Sequence, residues 1–160
     1  MKCSGFMIVA GLAVGLLTTP LPGQKANIPP PNQDPFVGLW KANAKESRPR
    51  LDRKEASYER KIQRDGDGLV FISSGGPAGS AVRQFKIRCD GIFHPLPTGP
   101  VLSCLYAAPN RVEGETKTPL KTDVFWTREV SSDGSRMTIS EYKDKGRTKI
   151  RSIMVLDRIK

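Results

Sequence analysis

The sequence predicts an all-β domain, an antiparallel up-and-down barrel of eight or nine strands. Three observations carry that prediction. Apolar and polar residues alternate at period two, glycine-bearing turns interrupt the alternation at short intervals, and no sustained helical stripe follows residue 35. Eight or nine strands in so short a chain must close or fold into two faces, because an open sheet of that size leaves its edges and one side unprotected.

Residues 1–23 read as a signal peptide. Lys2 is the lone positive charge, and the uncharged, mostly apolar stretch from Phe6 to Leu17 is shorter than the roughly 20 residues that a spanning helix needs. The mature protein is therefore expected to carry no transmembrane span and to be exported, either periplasmic or extracellular. Residues 24–35, with Pro29-Pro30-Pro31 and no periodicity, read as a disordered, Pro-rich tether. Residues 36–160 then form one domain, enough for a single core and too few for two.

Within that domain Phe36-Val37-Gly38-Leu39-Trp40-Lys41 is the first strand. Residues 42–53 contain Pro49 and a high charge density, which suit a short 3₁₀ or irregular link. In the next strand Ala56, Tyr58 and Ile62 share one parity while Ser57, Glu59, Lys61 and Gln63 take the other. Asp65-Gly66-Asp67-Gly68 turns the chain, and Leu69-Val70-Phe71-Ile72 returns it. Residues 73–80 read as a flexible loop, a candidate lid over a barrel mouth. Strands are expected at 81–89, 101–106, 111–117, 121–130, 136–142 and 148–158, with Asp133-Gly134 and Lys145-Gly146 between the last three.

Once the leader is removed only Cys89 and Cys104 remain, both in apolar, strand-like segments. They read as a structural disulfide, which would stabilise by roughly 3 kcal/mol in the chain-entropy model. Two buried free thiols are the alternative.

Gly38-Leu39-Trp40 resembles the glycine-x-tryptophan opening of lipocalins. The longer run from Asp34 through Asn43 to Ala44-Lys45-Glu46-Ser47 resembles the start of a group of small exported bacterial proteins, which read N/D-P-F-x-G-x-W-K-x-N followed by A-K-S. Glu46 is an insertion relative to that pattern. Val155-Leu156-Asp157-Arg158 resembles the group's last strand. The resemblance implies a lipocalin-like, calycin-like barrel and, by analogy alone, a binding role. It also implies that Trp40 plugs the closed end beneath Arg158 through a cation–π contact of about 0.5–2 kcal/mol.

No motif names a reaction, and no catalytic residue is assigned. His94 is the only histidine, and a lone imidazole makes a poor metal site, since zinc usually takes three or four protein ligands. Asp65-Gly66-Asp67-Gly68 lacks the further oxygen ligands of a calcium loop, and Gly75-Gly76-Pro77-Ala78-Gly79-Ser80 lacks the Lys-Ser or Lys-Thr of a phosphate cradle. No metal and no cofactor is expected. An enzyme using His94 with Asp90 or Glu113 is the least supported reading.

The net charge of +10 is uneven. Positions 41–64 hold nine basic and four acidic residues, and positions 143–160 hold seven and two. The first and last strands of a closed meander are neighbours, so the two basic segments are expected on one wall, with Arg147, Lys149 and Arg151 pointing outward. Such a wall suits an anionic envelope polymer or lipid surface, or simply keeps the domain soluble. Nucleic acid is not an expected partner, because no aromatic residues interleave with the basic run. Inside, Tyr58, Phe71, Phe85, Phe125, Trp126, Met137 and Met154 either fill the barrel or line a pocket. The leading functional expectation is an exported, non-enzymatic binding protein for a small apolar or amphipathic ligand, and the alternative is an envelope-associated module that uses the basic wall.

Overall fold

The computed structural model describes residues 28–49, 57–74, 83–119 and 123–159. The leader, most of the loop expected at 73–80, and part of the 42–53 link lie outside the described residues. Ten strands form one antiparallel sheet: β1 (Gly38–Ala42), β2 (Glu59–Asp65), β3 (Gly68–Ser74), β4 (Arg83–Arg88), β5 (His94–Pro95), β6 (Val101–Ala108), β7 (Arg111–Lys117), β8 (Asp123–Val130), β9 (Arg136–Tyr142) and β10 (Ile150–Ile159). Their order is β4-β3-β2-β1-β10-β9-β8-β7-β6-β5, a meander in which each strand pairs with its sequence neighbours and β1 meets β10. The all-β barrel is the expected one, with β5 added. Two residues of β5 in a proline-rich loop are too short to show an alternation.

The barrel is nearly closed rather than closed. β4 and β5 are the outer members of the sheet and are not hydrogen-bonded to each other. A covalent link spans this seam: Cys89, just past β4, is disulfide-bonded to Cys104 of β6. Beside it the Gly91 N–H donates to the Cys104 carbonyl at 2.8 Å, and Asp90 forms an isolated bridge to Leu105. Cross-linking replaces ladder hydrogen bonds at this one place.

The first-strand motif builds the closed end. Trp40 is fully buried and stands opposite Arg158 in the β1–β10 register. Gly38 has φ +148°, and a Cβ there would collide with the Arg158 guanidinium, so glycine is what lets the arginine lie across the tryptophan. Asp34, expected within the tether, is instead buried. Its Oδ1 accepts the Phe36 N–H at 3.0 Å, and its Oδ2 accepts Arg64 Nη1 at 2.9 Å and the Tyr106 hydroxyl at 2.8 Å. Burial, reinforced by Asp34, pushes the Tyr106 phenol up from its ordinary value. The folded part therefore begins before Phe36, because a buried carboxylate with these partners cannot belong to a solvated linker.

After β1 the chain turns through residues 43–49 and lies against β10. The Asn43 side chain accepts the Lys45 and Glu46 N–H groups at 3.2 Å each and donates to Asp157 at 2.7 Å. Ser47 Oγ accepts the Val155 N–H at 3.0 Å, and Arg48 pairs with Ile153. The Asn43-to-Ser47 part of the motif is thus a strap over the last strand, and Glu46 is absorbed in its turn by an ion pair with Arg136.

Candidate functional site

Strand alternation decides which side chains enter the barrel. On β8 the parity of Trp126 and Val130 also carries Arg128, so a cation sits in a row of apolar neighbours. Along β2 and the residue before it the parity of Tyr58 and Ile62 carries Arg60, and on β9 that of Met137 and Ile139 carries Glu141. These three charged residues line one cavity of about 330 Å³ together with Tyr58, Ile139, Ser152 and Met154.

Arg128 is 8 % exposed. Its guanidinium carbon lies 4.6 Å from the ring centroids of both Phe71 and Trp126. Trp126 fits because Gly114 on β7 has no side chain; a Cβ there would run into the indole. The buried Nε of Arg128 has no hydrogen-bond partner among the described residues. Burial, and after it the neighbouring Arg60, push this guanidinium down to about 9, with Tyr58 and Glu141 pulling the other way. It remains a cation at neutral pH.

Arg60 lies 5.1 Å from the Tyr58 ring centroid and 5.4 Å from that of Phe71. Its Nε donates to Ser73 Oγ at 3.3 Å, and the same oxygen is 3.0 Å from the Tyr58 hydroxyl. On β10 and β9, the strands next to Arg128's β8, Ser152 Oγ donates to Glu141 Oε2 at 3.0 Å. Two guanidiniums therefore share a partly apolar chamber with a single carboxylate, which leaves an excess of positive charge inside the barrel.

The expected lumen residues separate by depth. Tyr58 lines the cavity. Phe71 and Trp126 form the aromatic bed of Arg128. Phe85 stacks on Phe71 at 5.3 Å between centroids and lines a second recess, about 460 Å³, at the seam with Leu96 and Pro97. Met137 is fully buried opposite Leu156, in the packed closed end, so it belongs to the core rather than to a ligand wall. Trp40 and Arg158 form the plug, with the guanidinium carbon 4.1 Å from the ring centroid.

Among the anionic-surface candidates, Lys149 and Arg151 are exposed. Arg147 turns onto the barrel wall, where Nη1 pairs with Glu113 of β7 at 3.3 Å. His94 Nε2 lies 3.0 and 2.9 Å from the two Asp90 carboxylate oxygens, and neither residue lines the cavity. Asp90 is held below its ordinary value although burial opposes this, through the Ile92 N–H and then His94. Among the described residues, no group of three or more His, Cys, Asp or Glu side chains is arranged to hold a metal, and no helix is long and apolar enough to cross a membrane.

No protein-family model and no curated protein matches the chain. Solved structures do resemble it. The wild-type fluorescent protein UnaG aligns with a TM-score of 0.55 at 15% identity, covering 78% of this chain and 97% of that one. A REP1-NXSQ fatty acid transporter aligns with 0.54 at 14% identity, covering 78% and 96%. A Schistosoma mansoni fatty acid binding protein in complex with arachidonic acid aligns with 0.54 at 12% identity, covering 80% and 98%. At such identities the likeness is one of fold, a nearly closed antiparallel β-barrel.

Proposed function

We propose that this protein is an exported binding protein for a small amphipathic acid, its head held by Arg60 and Arg128 and its apolar part resting on Ile139 and Met154. Arg128 carries the reading. Desolvating a cation costs several kcal/mol unless a partner compensates, and the described residues supply aromatic faces but no hydrogen bond to Nε. A ligand carboxylate entering the cavity offers what is missing, and arginine pairs with carboxylates through two parallel hydrogen bonds. The cavity volume falls at the lower end of the range for small-molecule sites. A fatty acid transporter and a fatty acid binding protein share the fold, which is consistent with this use. The leader-like residues 1–23 and the Cys89–Cys104 bridge support export.

Calorimetric titration with decanoate and with decanol tests the proposal, since the two differ only at the head. The acid should bind about tenfold more tightly, the effect of one charge-assisted hydrogen bond, and Arg128→Leu should erase the difference. Equal affinity for acid and alcohol in the unaltered protein would overturn it.

A further inference from the structure

Glu141 is a costly neighbour for a site that only has to attract an anion. It lines the same cavity as Arg60 and Arg128, and from the adjoining strand its charge supports that of Arg128. One of its oxygens, Oε2, accepts from Ser152 Oγ, and Oε1 accepts no hydrogen bond among the described residues. A carboxylate has about four acceptor positions, so capacity remains on Glu141, one strand away from Arg128.

We infer that Glu141 and Ser152 read a hydrogen-bond donor beside the acid of the ligand, so that the preferred class is hydroxy acids rather than plain fatty acids. This rests on the amphipathic-acid reading above. The acid group meets the guanidiniums, while a hydroxyl close to it on the chain donates to Glu141 Oε1. A plain acid brings its carboxylate near Glu141 with no donor to offset the repulsion. The cations and the carboxylate therefore act on different parts of one head group, the arginines for affinity and Glu141 for selection.

The full chain titrated with β-hydroxydecanoate and with decanoate gives the test. The hydroxy acid should bind about tenfold more tightly, as a hydrogen bond to a charged acceptor predicts. Glu141→Leu should abolish that preference by weakening the hydroxy acid and strengthening decanoate, and Glu141→Gln, which keeps an acceptor oxygen, should retain part of it. If Glu141 only balances the arginine charge, Glu141→Leu will tighten both acids equally, and the inference fails. Equal binding of the two acids by the unaltered protein would overturn the inference alone. Binding of neither would overturn the amphipathic-acid reading and this inference with it.

Discussion

Arg158 and Arg128 are both drawn over a tryptophan inside the same barrel, one in the plug and one at the cavity, and their surroundings differ in one respect. Arg158 has its donors met by backbone carbonyls: Nε by Gly134 at 2.6 Å, Nη1 by Val37 at 2.7 Å and Nη2 by Pro35 at 2.6 Å. Below it the Trp40 Nε1–H donates to the Phe36 carbonyl at 2.9 Å. Arg128 lies over Trp126 and Phe71 with its buried Nε unmet among the described residues. An arginine whose donors are satisfied by its own chain holds that chain together. Arg128, buried with one donor unmet, costs the fold stability and leaves that donor open to the ligand proposed above.

That contrast makes the closed end the place where truncation should hurt most. Trp40→Ala removes a fully buried indole and the seat of Arg158, and should cost about 4 kcal/mol in urea unfolding. A cost below about 1 kcal/mol would mean that the plug is dispensable. A smaller and pH-dependent effect is expected at the turn that presents the Gly134 carbonyl. Asp133 accepts from the Ser131 hydroxyl and from the N–H and hydroxyl of Ser135, and these contacts hold its carboxyl down to about 2 from an ordinary 3.8. The folded value is the lower one, so the stabilisation is complete above pH about 4 and is lost as pH falls through about 2. Asp133→Asn should therefore unfold more easily than the unaltered protein near pH about 6 and converge with it near pH about 2. A constant gap across that window would contradict this assignment.

The plug was legible in the sequence and the chamber was not. Period-two alternation and Asp-Gly or Lys-Gly turns located nine strands, and Gly38, Trp40 and Arg158 could be placed from the motif because their roles are local to two adjoining strands. The seam escaped because closure depends on where the first and last members of a sheet meet, which alternation within a strand does not encode. The chamber escaped for a different reason. Arg60, Arg128 and Glu141 occupy apolar parities, so along the sequence they look like interruptions of a buried face rather than members of it. A charge flanked at i−2 and i+2 by large apolar residues, as Arg128 is by Trp126 and Val130, is the local sign that would have singled it out. The expected outward row of Arg147, Lys149 and Arg151 shows the reverse limit. Parity was correct for Arg151 on β10, but Arg147 lies in the preceding loop, with φ 55°, and its direction is set by Glu113 on another strand.

The direct test of the account is to remove each cation and measure stability by urea unfolding without ligand. Arg158→Leu strands three carbonyls and should lose about 3 kcal/mol, whereas Arg128→Leu replaces an unsatisfied buried cation by an apolar side chain and should gain about 1–2 kcal/mol. A loss in Arg128→Leu comparable to that in Arg158→Leu would contradict the account, because both arginines would then serve the fold.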